Sequence, residues 1–367
     1  MNNTGNILIS GASFAGLATA FWMKKFGYQV TVVEISENLK KGGTPVNIRE
    51  GTVDIAKRMG LFDQIEAKRV RMESMEIVNC DGTAQHSTEV QAENEESGTI
   101  DYEIERDTLL NIMFDAVKGD VEFIFDEGIT SLEETNSCIT VSFKKGKRRA
   151  FDLVFGCDGV RSDLRRYWFG ADQEYSHFLE SYGSVTVLDK LLIKENTSQV
   201  YIEPGKYVQL SAYNNKTDII LIFSSEKEIP YDYRDTKQKQ KILQEQFSGV
   251  GWRVAELMQE VKKADDFYFG GLYQIKMPSW TKGRVALVGD AGYCASPAAG
   301  RGGSLAIDGA AALADAFEKS GGDYQAAFQE YNRAFRPFVE QIQHNAVEFG
   351  LTFLLPKTAE AILERQK

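Results

Sequence analysis

A short apolar run, Asn6-Ile-Leu-Ile-Ser10, breaks at Gly11-Ala-Ser-Phe-Ala-Gly16 and resumes as a helical pattern, and this constrains the fold more than any other stretch. An apolar run without polar alternation reads as a parallel strand covered on both faces. Leu17, Ala18, Phe21 and Trp22 then recur at helical spacing until Gly27 stops the helix, and Gln29-Val-Thr-Val-Val-Glu34 reads as the next strand. Such a βαβ unit presents free backbone N–H groups at a helix N-terminus, where a pyrophosphate is stabilised. Gly11 allows the tight turn and Gly16 a close approach of helix to sheet. Ser13 stands where the dinucleotide fingerprint has its middle glycine, and Phe14 and Ala15 complete the loop. Glu34, at the strand end, is placed to accept a ribose hydroxyl and to disfavour a 2′-phosphate.

Two later segments repeat the theme of a strand ending at glycine. Phe151–Phe155 leads into Cys157-Asp-Gly-Val-Arg-Ser162. Arg284-Val-Ala-Leu-Val288 leads into Gly289-Asp-Ala-Gly-Tyr-Cys-Ala-Ser-Pro297, which continues as Ala-Ala-Gly300-Arg-Gly-Gly303-Ser304 into a helix expected over Ser304–Glu318. Asp158 and Asp290 thus lie at the carboxyl ends of strands, where α/β sheets bind ligands. The commoner fate of an isolated Asp in such a place is to cap a helix. In this order the segments read as a cradle for one extended dinucleotide.

Composition narrows the rest. The chain of 367 residues has a net charge of −11, and Lys144-Lys-Gly-Lys-Arg-Arg149 is its densest basic cluster, expected as a solvated hairpin turn. A nucleic-acid partner would need phosphate neutralisation that this balance does not supply. Cys80, Cys138, Cys157 and Cys294 are scattered and the only histidines are His86, His177 and His344, so neither a disulfide framework nor a metal site is expected, and a reducing cytoplasm fits. The N-terminus does not resemble a signal peptide, and no apolar run approaches the ~20 residues that cross a bilayer.

Helices are expected at Glu50–Met59, Arg106–Val117, Lys237–Phe247, Arg253–Lys262 and Tyr324–Phe353. Strand-like runs lie at Ser74–Val78, Thr99–Glu105, Val121–Phe125 and Ile139–Phe143, with an acidic loop at Glu89–Glu96. From Ser181 to Phe223 the pattern alternates, with a hairpin at Asn214-Asn215, as in an antiparallel sheet inserted into an α/β chain. Phe328, Tyr331, Phe335, Phe338 and Val339 of the C-terminal helix would brace the domains, with a dimer interface as the alternative. The apolar stretch Phe349–Pro356 would pack on the core.

At GASFAG, CDGVRS and GDA…SP…GRGG the sequence resembles the class A flavoprotein aromatic hydroxylases, the para-hydroxybenzoate hydroxylase-like family, and within it the tetracycline-inactivating branch. The resemblance spans Asn6 to Phe338. It implies a Rossmann-like FAD-binding domain formed from residues 1–73, 101–175 and 276–322. It also implies a mainly antiparallel substrate domain from residues 74–100 and 176–275, and a bridging C-terminal helix over 323–367. Gly11, Ser13, Phe14, Ala15, Gly16 and Glu34 would hold the ADP half of FAD. Arg106 would contact the cofactor, Asp158 and Arg161 would lie near the pyrophosphate, and Asp158 is implicated with the nicotinamide too. Gly289 and Asp290 would serve the ribityl chain, and Pro297, Gly300, Gly302, Gly303 and Ser304 would border the isoalloxazine. Lys40 and Arg49 belong to the loop beside the flavin. Asn47 shares that loop, and with Pro297 it borders the substrate. Lys40, Asn47 and Arg301 stand where many relatives carry Arg, Asp and Gln.

The implied reaction is hydroxylation of an aromatic or polycyclic molecule through a flavin hydroperoxide, with NAD(P)H and O2 as co-substrates and no metal. With one dinucleotide fold taken by FAD, the nicotinamide nucleotide binds transiently. On strand parity Tyr207, Gln209, Ser211 and Phe223 would line the substrate pocket. A flavin oxidoreductase without hydroxylation and a non-catalytic flavin binder are the alternatives. Gly302-Gly-Ser304-Leu-Ala306 is a near miss for a hydrolase elbow, lacking the second glycine. The protein is expected as a monomer or weak homodimer.

Overall fold

The computed structural model describes residues 5–89, 102–264 and 267–364. Most of the acidic stretch and the start of the Thr99–Glu105 run lie outside them. A six-stranded sheet runs in the order β18 (Thr281–Lys282), β19 (Val285–Leu287), β12 (Leu153–Gly156), β1 (Asn6–Ser10), β2 (Gln29–Glu34), β8 (Glu122–Phe125). All neighbours are parallel except β18 and β19. Ile7, Leu8 and Ile9 are fully buried, as a central parallel strand requires, and each such side chain contributes about 1.5–3 kcal/mol. β19, β12 and β1 are adjacent, with Ser10 opposite Gly156 and Gly156 opposite Leu287. Their three glycine segments therefore leave the sheet side by side at one edge.

Helix α1 (Phe14–Lys25) packs against α9 (Gly302–Lys319), and α9 against α10 (Tyr324–Asn345). Shorter helices are α2 (Glu50–Arg58), α3 (Phe62–Ala67), α4 (Arg106–Asp115), α5 (Asp163–Trp168) and α8 (Asp290–Tyr293).

A second sheet is ordered β17 (Tyr268–Ile275), β13 (Ser176–Leu188), β16 (Lys216–Ser224), β15 (Lys206–Tyr213), β14 (Thr197–Glu203), β5 (Ser74–Val78), β6 (Ala84–Glu89). Only β14 and β5 pair in parallel. Asn214 and Asn215 turn the β15–β16 hairpin with positive φ of 46° and 60°, the conformation whose twist matches the flanking strands. Helices α6 (Thr236–Gln246) and α7 (Val254–Lys263) cover one face, over Val208, Leu210, Ile219, Leu221 and Phe223. The other face carries Val200, Tyr207, Ile222 and Leu272, and Leu355 packs on it.

Two small antiparallel sheets were not legible as such. One is β3 (Val46–Ile48), β7 (Tyr102–Ile104), β4 (Arg69–Val70); the other is β11 (Arg148–Phe151), β10 (Ile139–Phe143), β9 (Ile129–Glu134). The single strand expected at Phe151–Phe155 is two strands broken at Asp152, β11 ending one sheet and β12 entering another. The basic cluster is the β10–β11 turn, and its charges pair locally: Lys145 with Asp126, Arg148 with Glu133, Arg149 with Glu122.

The C-terminal region differs from expectation. α10 stops at Asn345 and a wider π turn follows over Ala346–Leu351. Leu351, Leu354 and Leu355 then fold onto the second sheet. That turn aims Phe349 and Phe353 outward, at 68% and 50% exposure, so they do not pack on the core; Phe338 is 41% exposed and braces nothing fully. Phe328, Tyr331, Phe335 and Val339 are buried as expected.

Candidate active site

The glycine segments touch one another. Gly11 has φ of 104°, its N–H donates to the Val33 carbonyl at 2.8 Å, and a Cβ built on it would lie 2.8 Å from the carbonyl carbon of Cys157. Gly156 admits no side chain between Leu287 and Leu164, whose methyls stand 2.5 and 2.6 Å from its virtual Cβ. Gly289 has φ of 70°, and its virtual Cβ is 2.9 Å from the Cβ of Ala15. Gly11 makes room for the Cys157 backbone, and Gly156 and Gly289 make room for neighbouring side chains.

Around this junction the charged groups are poorly satisfied by protein alone. Arg106, at the start of α4, donates to the Lys40 carbonyl at 2.8 Å and to the Ser13 hydroxyl at 3.3 Å, and its guanidinium lies 5.2 Å over the Phe14 ring. Burial pushes its pKa down, opposed only by Asp107. A desolvated guanidinium beside a helix N-terminus, bonded to carbonyls and a hydroxyl, is complementary to an anion. Asp290 opens α8, and burial pushes its carboxyl up, opposed only by the Cys294 thiol. A desolvated carboxylate with so little donation is complementary to hydroxyl groups. Glu34 holds the loop: Oε2 accepts the Ala12 N–H at 2.8 Å and Oε1 the Ser36 N–H at 3.0 Å.

At the far end, Ser296 has φ of 78°, Pro297–Ala299 form a single turn, and Gly300 is left-handed at φ 60° before α9 begins. No heavy atom lies within 4 Å of the virtual Cβ of Gly300 or Gly302, so this helix N-terminus faces open space. Anion-seeking, hydroxyl-seeking and flat open surfaces follow one another along the sheet edge. That donor set fits FAD.

Other expected site residues make protein contacts of their own. Asp158 accepts the Ser162 hydroxyl at 2.5 Å and the Leu164 N–H at 3.1 Å, so it caps α5 rather than facing the cradle with a free carboxylate. Arg161 is exposed, 5.1 Å over the Tyr233 ring just before α6. Lys40 contributes its carbonyl while its side chain is exposed. Arg49 precedes α2 and acts electrostatically on the buried carboxyl of Glu103, whose pKa is raised by desolvation. Ser304 is fully buried and donates its hydroxyl to the Asn47 carbonyl, which removes it as a nucleophile and ties α9 to β3. Phe223 sits on the helix-covered face of the second sheet, because β16 pairs it with Lys206 rather than Tyr207.

Tyr207, Gln209 and Ser211 share the opposite face and form a ladder. The Tyr207 hydroxyl donates to Gln209 at 2.7 Å, the Gln209 amide to Ser211 at 2.8 Å, and Ser211 meets Ser198 at 2.8 Å. Opposite Ser211 in register is Asp218, fully buried, with both oxygens 3.0 Å from the Tyr213 hydroxyl. Burial, and then the nearby Glu103, raise its pKa to about 7, against the Tyr213 bond. Sequence reading missed Asp218, Tyr213, Ser198 and Cys294. Parity across the Asn214-Asn215 hairpin was the signal that could have found Asp218.

The FAD binding domain family model matches residues 4–346. An uncharacterised protein of Mycobacterium tuberculosis is 35% identical over 339 residues, covering 92% of this chain and 91% of its own. A flavin-dependent monooxygenase of Legionella longbeachae is 32% identical, over 97% of this chain and 91% of that protein. The crystal structure of tetracycline destructase Tet(51) superposes with a TM-score of 0.87 at 33% identity, covering 99% of this chain and 95% of that one.

Proposed function

The chain belongs to the FAD-binding-domain family of flavin-dependent monooxygenases, and from that membership we propose that it hydroxylates a planar aromatic or polycyclic small molecule, of tetracycline-like kind, with NAD(P)H and O2. The chemistry that FAD supplies when bound is hydride capture and activation of O2. The protein's part is to hold, orient and exclude water.

Arg106 and the N-terminus of α1 would balance the pyrophosphate, with Gly11, Ser13 and Gly16 leaving room for it. Glu34 keeps lone pairs for the adenosine ribose beyond the two backbone bonds it accepts. Asp290 would accept ribityl hydroxyls. The open N-terminus of α9, at Gly300 and Gly302, carries roughly half a positive charge, suited to negative charge on a reduced ring. The ladder of Tyr207, Gln209 and Ser211 would orient polar edges of the substrate, while Val200, Ile222 and Leu272 keep that face dry. All four cysteines are free thiols, in keeping with a reducing cytoplasm. Among the described residues no helix is long and apolar enough to cross a membrane.

The observation that carries the reading is the succession Arg106, Asp290, open α9 along one sheet edge. The test is to purify the protein, establish bound FAD by its absorbance, and measure NAD(P)H oxidation, O2 uptake and product mass with tetracyclines and other polycyclic phenols. Gain of one oxygen atom by a substrate is the expected result. Nucleotide oxidation without oxygen incorporation into any of them would replace the hydroxylase with an oxidoreductase.

A further inference from the structure

Three consecutive residues at the start of α4 send their side chains to three different elements. Arg106 reaches the Lys40 carbonyl and, beside the N-terminus of α1, the Ser13 hydroxyl. Asp107 accepts the Gly42 N–H at 2.8 Å, in the loop that leads to β3. Glu105, the residue before the helix, turns away from both and into the second sheet. Its Oε1 accepts the side-chain amide of Asn214 at 2.5 Å, and its Oε2 accepts the ammonium of Lys216 at 2.7 Å. Both donors belong to the end of the β15–β16 hairpin. We propose that Glu105 is a positioning residue, through which this hairpin end fixes the reach of Arg106 toward the FAD pyrophosphate. This rests on the FAD site proposed above.

A side chain at the residue before a helix ordinarily accepts an N–H of the helix that it opens. Glu105 makes no such bond, so its carboxylate is committed to the hairpin. Burial alone would raise its pKa, but Lys216 and Asn214 outweigh burial and hold it below its ordinary value. The Lys216 ammonium is raised in turn, first by Glu105. Their side chains are only 18% and 35% exposed, so water and salt screen the pair less than one on the open surface. The hairpin end is braced on its own side. The Asn215 N–H donates to Glu195 at 2.8 Å, and the Tyr213 hydroxyl lies 3.0 Å from both oxygens of the buried Asp218. Glu105 is thus a fixed point one peptide away from Arg106. Arg106 has little slack of its own, since its Cδ stands 3.2 Å from the virtual Cβ of Gly43 and its bond to Ser13 is already 3.3 Å long. A shift of the first residue of α4 would therefore carry the guanidinium off Ser13, and away from an anion at the α1 N-terminus.

The test titrates the full-length apoprotein with FAD and follows flavin fluorescence. Lys216→Met should raise the FAD Kd about fivefold, and Lys216→Arg should keep the wild-type affinity. Asn214→Gly preserves the positive φ and removes only the amide, and should raise the Kd about twofold. Arg106→Met weakens FAD binding by itself. Adding Lys216→Met to it should change the Kd by less than about twofold, because the ion pair acts through the guanidinium. Circular dichroism and melting temperature report that each apoprotein is folded. An unchanged Kd in both Lys216→Met and Asn214→Gly overturns the proposal. So does a Lys216→Met effect that persists in full beside Arg106→Met, which would make the pair a general brace between the two sheets. A wild type that takes up no FAD would instead sink the flavin reading, and is told apart because it needs no variant.

Discussion

Replacing Gly289 by Ala separates two sources of cost at the centre of the cradle. Gly289 has φ 70° and ψ −145°, a region that L side chains scarcely enter; holding Ala there costs of order 1–3 kcal/mol. The new Cβ would also stand 2.9 Å from the Cβ of Ala15, where 3.4–4 Å is ordinary contact. Moving α1 and the α8 turn apart by about half an ångström adds roughly 1 kcal/mol of overpacking. The sum is about 2–4 kcal/mol against the folded apoprotein. Because the strain relaxes by rotating the peptide that carries Asp290, FAD affinity should fall at least about tenfold. Urea unfolding of the apoprotein and titration with FAD measure both quantities. Ala15→Gly in the same chain removes the contact but leaves the backbone strain, and itself costs about 1 kcal/mol in a helix, so the double variant should be no more stable than Gly289→Ala. Full recovery in the double variant would show that the contact, not the conformation, is what requires glycine. Wild-type stability and FAD content in Gly289→Ala would refute the close approach altogether.

Asp290→Ala should purify with reduced FAD content while keeping its fold, and flavin-to-protein absorbance ratios identical to wild type would contradict the ribityl assignment. Asp218→Asn tests the buried acid of the second sheet. Its folded pKa of about 7 lies above the ordinary 3.8, so the folded chain retains a proton that the unfolded chain loses. Stability from this group is therefore full below pH 4, declines as pH rises, and is lost above pH 7, on the order of 4 kcal/mol in all. The Asn variant should flatten the decline in melting temperature between pH 5 and pH 8; an unchanged slope would show that Asp218 is ionised throughout.

The three glycine segments were legible because each is a strand end where the backbone has one permitted residue. Strand order then made them one site: β19, β12 and β1 lie far apart in the chain and side by side in the sheet. Side-chain direction was not legible to the same degree. Asp158 and Asp290 occupy equivalent places in the sequence, yet Ser162 and Leu164 satisfy one and almost nothing satisfies the other. Arg106 and Arg161 were both assigned to the cofactor, and packing turned one onto Phe14 and the other onto Tyr233. Phe223 and Tyr207 both read as pocket residues, and the hairpin register put them on opposite faces.

What the sequence determined by itself was local: the βαβ unit, the alternating strands, and the positions where only glycine can bring two backbones together, since these follow from period and steric room within a few residues. Only the tertiary structure decided which charges stay unsatisfied until a ligand arrives. Desolvation and hydrogen-bond partners come from elements distant in the chain, and a carboxylate or guanidinium carries no mark of them in its own neighbourhood.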